Sequence, residues 1–255
     1  MAWDVSAFVG SWPFRRLPHA TPKALEERLR REGIQRALVS PLETLFDNDP
    51  HPACRLWSEA LKGHSFFRLV PVLNPTLPGW ERRWEAYREE GAVAVRLLPN
   101  YHGYSAAEGR AQALLRAAGA AGMAVFIQIR MQDVRSMHPL CRVPDVPWRE
   151  VLALARSSPE APLVVAAAKW HEAQELLQVA EELPGLHLEI SHLEHVDGLR
   201  RLVEQWGAQR LLLGTHAPLF TPTAARWKVE AAELAEADRW ALLRGNAERL
   251  LGGTP

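Results

Sequence analysis

Two hydrophobic periodicities alternate along the chain and predict helices followed by short buried strands. At five places a helical pattern ends at a glycine, and an apolar run follows within a few residues. A glycine after the last helical turn can take the left-handed conformation that completes a helix end. Three further apolar runs complete a series of eight predicted strands, at residues 3–9, 34–41, 67–74, 92–99, 123–130, 162–168, 186–192 and 208–216.

The segments between these strands have the 3.6-residue period of amphipathic helices. Trp80, Trp84 and Tyr87 share one helical face, and Thr21 followed by Pro22 supplies a capping hydroxyl and a first-turn proline. Near-continuous apolar strands that alternate with helices are typical of a parallel sheet covered by helices. Eight such units in 255 residues predict an α/β fold, a single (β/α)8 TIM barrel domain over residues 1–255.

Composition excludes several classes of protein. Lysine plus arginine and aspartate plus glutamate both number 30, and no basic stripe indicates nucleic-acid binding. No apolar run approaches the ~18 residues of a membrane span, and the first residues lack the basic and apolar regions of a signal peptide. We therefore expect a cytoplasmic protein without membrane contact. Cys54 and Cys141 form neither a metal-binding spacing nor a disulfide framework.

Ten tryptophans are an unusual number for this length. Several of them, including Trp57, Trp206, Trp227 and Trp240, lie on predicted helices. They are expected to pack against the barrel, and the alternative is that some form the subunit interface of a homo-oligomer.

Strand alternation predicts which polar side chains point into the barrel. Residues two apart on a strand share a face, and the apolar set of each strand should pack on the outer helices. Barrel chemistry lies at the carboxyl ends of the strands, where this pattern places a titratable histidine after a buried run. The predicted barrel mouth contains Arg96, Gln128, Arg130, Glu189, Ser191 and His216. The alternative for His216 is a hydrogen-bonded histidine at a strand end.

Two inward arginines need anionic partners, because a buried guanidinium is costly unless it is paired. We expect Glu189 to pair with one of them and a small acidic substrate, carrying a carboxylate or a phosphate, to pair with the other. Alternatively, Glu189, Asp4 and backbone carbonyls satisfy both. Polar residues just beyond the strand ends could add substrate contacts: Asn100, His102, Lys169 and His192.

Long connections after strands indicate the functional face of a barrel. Three stand out, at residues 10–20, 41–51 and 131–147. The third contains His138, Cys141 and three prolines without a periodic pattern. It is predicted to be a lid or wall over the barrel mouth, and the alternative is an irregular surface loop.

Three motifs resemble those of a known family in their order and spacing. Residues 4–10 read D-V-S-A-F-V-G and precede W-P-F, residues 213–218 read L-G-T-H-A-P, and residues 245–251 read G-N-A-E-R-L-L. They are similar to the D-x-H-x-H-x-G, G-[ST]-D-x-P and N-A-x-R-L motifs of amidohydrolase-related (amidohydrolase 2) proteins in the metal-dependent hydrolase superfamily. That branch includes aminocarboxymuconate-semialdehyde decarboxylase and dicarboxylate lactonases. The eight-fold layout extends the resemblance over nearly the whole chain.

The resemblance implies a mononuclear metal that activates water or positions a substrate carboxylate. Its ligands would come from the paired first-strand histidines, from histidines after strands five and six, and from the strand-eight aspartate. Here Ser6 and Phe8 replace the paired histidines and His216 stands at the aspartate position. Gln128 and Arg130 end strand five, and three alanines end strand six.

This departure predicts that the usual metal is missing. Zinc takes three or four nitrogen, sulfur or carboxylate ligands, which phenylalanine and alanine do not provide. Two inward arginines would also repel a cation. The alternative is a rebuilt site for a divalent metal such as zinc, made by His192, His195 and His216.

The leading functional hypothesis is a metal-independent hydrolase or lyase, decarboxylase-like, that acts on a small carboxylate-bearing metabolite. His216 would be the general base or acid, Arg96 and Arg130 would hold the substrate anion and stabilise developing negative charge, and Gln128 would orient the substrate. Candidate substrate-binding residues are Arg130, Glu189, Ser191, Asn100, His192 and His138. The alternative is a catalytically degenerate barrel that binds small anions or takes part in an interaction without turnover.

Overall fold

A computed structural model describes residues 2–252 and contains the predicted alternation of strands and helices. Five 3-10 or π segments connect some of these elements. The strands and α-helices are, in chain order, β1 (Ala2–Val9), α1 (Pro22–Arg31), β2 (Ile34–Pro41), α2 (His51–Ala60), β3 (Phe67–Leu69), α3 (Trp80–Glu89), β4 (Ala94–Leu97), α4 (Pro99–His102), α5 (Gly109–Ala120), β5 (Ala124–Gln128), α6 (Trp148–Ser157), β6 (Leu163–Ala166), α7 (Trp170–Val179), β7 (Leu186–Glu189), α8 (Gly198–Trp206), β8 (Leu211–Leu212), α9 (Pro222–Ala231), α10 (Glu236–Trp240) and α11 (Asn246–Leu250).

The strands form a closed parallel (β/α)8 barrel, as the sequence predicts. Regular pairing joins β1 to β3 in order and β4 to β8 in order. A parallel bridge between Val72 and Arg96 connects the third and fourth strands. The ring closes where the Val5 amide donates to the Leu213 carbonyl at 2.9 Å and the His216 amide donates to the Ser6 carbonyl at 2.8 Å. Residues 213–216 therefore continue β8 along β1.

The interior of the barrel has an apolar lower layer and a polar upper layer. Trp3, Val5 and Phe126 belong to a buried cluster inside the barrel, which Ala247 and Leu251 of the C-terminal region complete. A larger apolar cluster lies between the strands and the helices. The polar layer above is fully buried and contains Asp4, Ser6, Arg96, Gln128, Glu189 and His216. Polar groups therefore concentrate at the carboxyl ends of the strands, where barrel sites form.

Two local features connect the sequence motifs to this architecture. Asn246, from the last motif, donates from Nδ2 to the Ala208 carbonyl at 2.7 Å and the Leu211 carbonyl at 2.8 Å, so it attaches the C-terminal helix to the start of β8. Thr21 caps α1 by accepting the Ala24 amide at 3.3 Å. Within residues 2–252, no helix has the length and apolar character needed to cross a membrane.

Candidate active site

Arg96 lies at the centre of the polar layer, and its hydrogen-bond partners in the described part of the chain are neutral groups. Its Nε donates to Ser40 Oγ at 3.0 Å, one Nη donates to Gln128 Oε1, and the other donates to Ser6 Oγ at 3.4 Å. The guanidinium also lies over the Phe8 ring, 4.9 Å from its centroid. Burial lowers the pKa of Arg96 to about 10, opposed by the charge of Glu189. Arg96 is thus a buried cation without an ion-pair partner among residues 2–252.

Two buried carboxyl groups flank this cation without contacting it. Asp4 accepts the amides of Ser6 and Thr215, both at 3.0 Å, and the Thr215 hydroxyl at 2.5 Å. Burial raises the pKa of Asp4 to about 6, although the Thr215 hydrogen bonds oppose the shift. Glu189 accepts the Ala167 amide at 3.2 Å and the Ser191 hydroxyl at 2.9 Å. Burial raises the pKa of Glu189 to about 7.

These raised pKa values predict a pH-dependent stability. Between the unfolded pKa of Glu189, near 4.5, and its folded value of about 7, the folded protein holds a proton that the unfolded chain has released. Protonation of Glu189 therefore contributes about 3 kcal/mol to the free energy of unfolding below the unfolded pKa. This contribution is lost as the pH rises through the folded pKa. Urea unfolding of the protein and of Glu189→Gln over this range measures the difference.

Comparison with Glu189→Gln isolates this effect from the buried histidines. Their lowered pKa values stabilise the fold as the pH rises, which is the opposite direction. The difference in unfolding free energy between the two proteins should change steadily with pH. A difference that is constant across the range would contradict the raised pKa of Glu189.

His216 and His192 form an edge-to-face pair beside this layer, with ring centroids 4.7 Å apart. His216 Nε2 lies 2.9 Å from the Met131 carbonyl, which only accepts, so Nε2 carries the proton and Nδ1 carries the lone pair. Ser191 Oγ donates to Glu189 and lies 2.8 Å from His192 Nδ1, which leaves the lone pair of His192 on Nε2. Within residues 2–252, neither lone-pair nitrogen has a hydrogen-bond partner.

The environment keeps both histidine rings neutral. Burial lowers the pKa of His216 to about 3, opposed by the Met131 hydrogen bond. Burial also lowers the pKa of His192, and the neighbouring His216 contributes. Phe8 and Phe220 pack on His216 at centroid distances of 5.0 and 5.1 Å. A buried acceptor without a partner is unusual in a folded protein and indicates a position for a water or ligand donor.

Arg130, unlike Arg96, is paired with carboxylates. It forms a two-point ion pair with Glu172, at 2.5 and 2.8 Å, and its Nε donates to Asp145 at 2.9 Å. The expected pairing of Glu189 with an arginine is therefore wrong. Glu172 at the first turn of α7 reaches Arg130, and Glu189 is instead held by the backbone of the β6 and β7 ends.

Of the remaining predicted residues, some lie in the site and others contact the loop at residues 131–147, the covering loop. Ser191 and His192 belong to the histidine pair described above. Asn100 donates to the Ile129 carbonyl at 3.2 Å and the Pro144 carbonyl at 2.9 Å, so it fastens both ends of the loop after β5. His138 stacks on Phe14 at 5.0 Å, away from the polar layer. The loop at residues 131–147 thus extends from β5 to the loop after β1.

Sequence reasoning missed several members of the site. It did not assign Glu172 and Asp145 as the partners of Arg130, nor the Met131 carbonyl as the partner of His216. Glu172 had a usable signal, since it lies in the first turn of the helix after strand six, at the end of the barrel where sites form. Asp145 and Met131 had none, because they lie in a loop without periodicity.

Comparison with known proteins supplies the family. A family model described as amidohydrolase matches residues 12–253. The chain belongs to the amidohydrolase family. No curated protein sequence matches this amidohydrolase significantly.

Solved structures show the same fold at low identity. A 2,6-dihydroxybenzoate decarboxylase from Rhizobium has a TM-score of 0.75 at 14% identity, covering 98% of this chain and 99% of that one. A dihydroxybenzoic acid decarboxylase from Polaromonas, with bound manganese and 2-nitroresorcinol, has a TM-score of 0.77 at 15% identity, covering 98% and 96%. A protein from Staphylococcus aureus described as a putative amidohydrolase has a TM-score of 0.76 at 12% identity, covering 98% and 99%.

At the barrel mouth, other groups stand at the positions where the family resemblance implies metal ligands. Among residues 2–252, no three His, Cys, Asp or Glu side chains are placed to hold one. Ser6 and Phe8 contact the Arg96 guanidinium, which puts a fixed positive charge beside the positions where the family resemblance implies ligands. His195, the third member of the rebuilt site considered from sequence, is exposed and stacks on Trp170.

Proposed function

We propose that this amidohydrolase is a lyase or hydrolase that acts on a small carboxylic acid at the barrel mouth without a metal. The observation that carries the proposal is the buried Arg96 guanidinium, whose partners among residues 2–252 are neutral. It lies in the same polar layer as the histidine pair. A carboxylate would supply the missing counter-charge through charge-assisted hydrogen bonds. The neighbouring structures include enzymes described as decarboxylases of aromatic acids, one of them complexed with 2,6-dihydroxybenzoate.

Each polar group has a defined part in this proposal. Arg96 binds the substrate carboxylate, and Gln128 holds Arg96 in position because its Nε2 is fixed on the Arg130 carbonyl at 2.7 Å. His216 accepts a proton at Nδ1, since its Nε2 is held by Met131. A neutral ring with a pKa of about 3 is not a proton donor at neutral pH, so we assign the role of base rather than acid. A carboxylate bound nearby would raise that pKa, because an anion stabilises imidazolium.

Entry of a substrate requires the covering loop to move, because the polar layer is buried. Asp145 connects this loop to Arg130 and lies 3.7 Å from Lys169. These contacts hold the end of the loop against the barrel mouth, whereas the centre of the loop is exposed. Loop opening at the mouth of a barrel is a common way to admit a substrate and then exclude water.

The test is turnover by metal-stripped protein with a panel of small aromatic and aliphatic carboxylic acids that includes 2,6-dihydroxybenzoate. Chromatography of products and release of carbon dioxide separate hydrolysis from decarboxylation. Turnover after chelation supports the metal-independent reaction. Turnover that appears only after manganese is added would contradict it.

Replacing His216 by asparagine should abolish turnover and leave substrate affinity within a few-fold of the original. Asparagine tolerates the left-handed backbone at this position, where φ is 56°. Asparagine has no atom in the position of Nε2, so the variant removes both the basic Nδ1 and the donor to the Met131 carbonyl. Circular dichroism therefore checks that the variant is folded. Steady-state kinetics and calorimetric titration measure the two effects. Unchanged turnover would exclude His216 as the base.

A second candidate function is binding of a small acid without turnover. The neutral state of His216 and the complete burial of the polar layer favour it over catalysis. Saturable calorimetric binding of a carboxylic acid without any product over long incubation supports this function. Conversion of the same acid by the metal-stripped protein would exclude it.

A further inference from the structure

A basic groove lies beside the barrel mouth and is separate from the polar layer. It encloses about 250 Å³ between the loop after β1, helix α1 and the segment that connects β8 to α9. Its cationic lining is Arg15, Arg16 and Arg28, and no carboxylate is among the described residues that line it. The charged side chains that line the groove are therefore all positive.

Two of its arginines keep their charge available for a ligand. Arg28 is neutralised by an ion pair with Glu32. Arg15 and Arg16 form no ion pair within residues 2–252, and Arg15 is fixed in place because its Nη2 donates to the Leu219 carbonyl at 3.0 Å. Helix α9 begins in the groove at Pro222, and the Thr221 side chain does not cap it. The positive end of the helix dipole adds to the two guanidinium charges.

Most of the remaining lining is apolar. Leu25, Pro218 and Phe220 form a surface against which an organic group can pack. Two uncompensated guanidinium groups match a dianion, and arginine forms paired hydrogen bonds with phosphate oxygens. We propose that this groove binds the phosphate group of a small phosphate ester, with the organic part on the apolar wall. This site is independent of the carboxylate site proposed at the barrel mouth.

The groove shares one residue with the histidine pair. Phe220 lines the groove and packs on His192 at 4.5 Å and on His216 at 5.1 Å. Phe220 thus separates the groove from the two histidines. A ligand in the groove would contact the ring that covers the proposed base.

Calorimetric titration at constant ionic strength tests the proposal with phenyl phosphate, inorganic phosphate and succinate. We expect phenyl phosphate to bind more tightly than inorganic phosphate because of the apolar wall, and succinate to bind least. Arg16→Gln should weaken phenyl phosphate binding about tenfold, and the double variant Arg15→Gln/Arg16→Gln should weaken it further. Arg82→Gln, which removes an exposed arginine on α3, is the matched control and should bind as the original does.

Three results would overturn the assignment. The first is absence of saturable phosphate binding, provided that circular dichroism shows folded protein. The second is binding that is lost in Arg96→Gln and kept in the double variant, which would place the anion at the barrel mouth. The third is succinate binding as tightly as phenyl phosphate, which would make the ligand a dicarboxylate. Failure of turnover at the mouth leaves this test unaffected, because it measures binding alone.

Discussion

Replacing Arg130 by methionine is expected to lower the free energy of unfolding by about 3–5 kcal/mol. The substitution leaves the Glu172 carboxylate buried without the two hydrogen bonds from Arg130. Asp145 and the Ala167 carbonyl also lose their hydrogen bonds to Arg130. Loss of one partner from a buried ion pair costs far more than loss of an exposed pair. Urea unfolding measured by circular dichroism and tryptophan fluorescence gives the free energy.

Arg226→Met is the matched control. Arg226 pairs with Glu230 one helical turn away, with both side chains about 43% exposed. We expect a change of less than about 1 kcal/mol for this variant. A double variant Arg130→Met/Glu172→Leu should recover part of the stability lost in Arg130→Met, since it also removes the stranded carboxylate. Equal effects of Arg130→Met and Arg226→Met would contradict a structural role for Arg130.

Replacing Arg96 by methionine should instead remove ligand binding while changing stability less than Arg130→Met does. Within residues 2–252 Arg96 has no ion-pair partner, so its loss strands no fully paired charge and relieves the burial of a cation. Two charge-assisted hydrogen bonds to a substrate carboxylate would be lost, which corresponds to at least about a hundredfold weaker affinity. Titration with the carboxylic acid that binds the original protein most tightly measures this loss.

Arg96→Lys distinguishes charge from geometry in this prediction. Lysine keeps the positive charge but lacks the planar group that bonds Ser40 and Gln128 together. We expect it to restore part of the affinity that methionine loses. Carboxylate affinity that is the same in Arg96→Met as in the original protein would exclude Arg96 as the anion-binding residue.

Arg96 and Arg130 show where strand alternation predicts the direction of a side chain and where it does not. Alternation on β4 and β5 predicts that Arg96 and Gln128 are buried in the barrel, and the structure joins them by a hydrogen bond. Alternation does not extend past the end of a strand, so it gives no information on the direction of the Arg130 side chain. Its orientation depends on Glu172 in α7 and on Asp145 in an aperiodic loop.

The first strand shows a second limit. Pairing of β1 with β2 shifts register between Asp4 and Ala7, so simple alternation does not hold along the whole strand. As a result Val5 belongs to the interior apolar cluster, and Ser6 and Phe8 contact Arg96. Thr215, more than 200 residues away in sequence, bonds to Asp4 beside this shift, and a local pattern does not contain such contacts.

The sequence by itself determined the barrel, its family and most members of the polar layer. These follow from local periodicity, from glycine and proline at element ends and from motifs of fixed spacing, all of which a single chain carries. The tertiary structure decided the partner of each polar side chain, because partners come from strands and loops far apart in sequence. It thereby separated Arg130, which is paired with two carboxylates, from Arg96, which forms no ion pair within residues 2–252. It also fixed His216 as a neutral ring with its basic nitrogen unpaired, since burial and the Met131 carbonyl depend on the closed barrel.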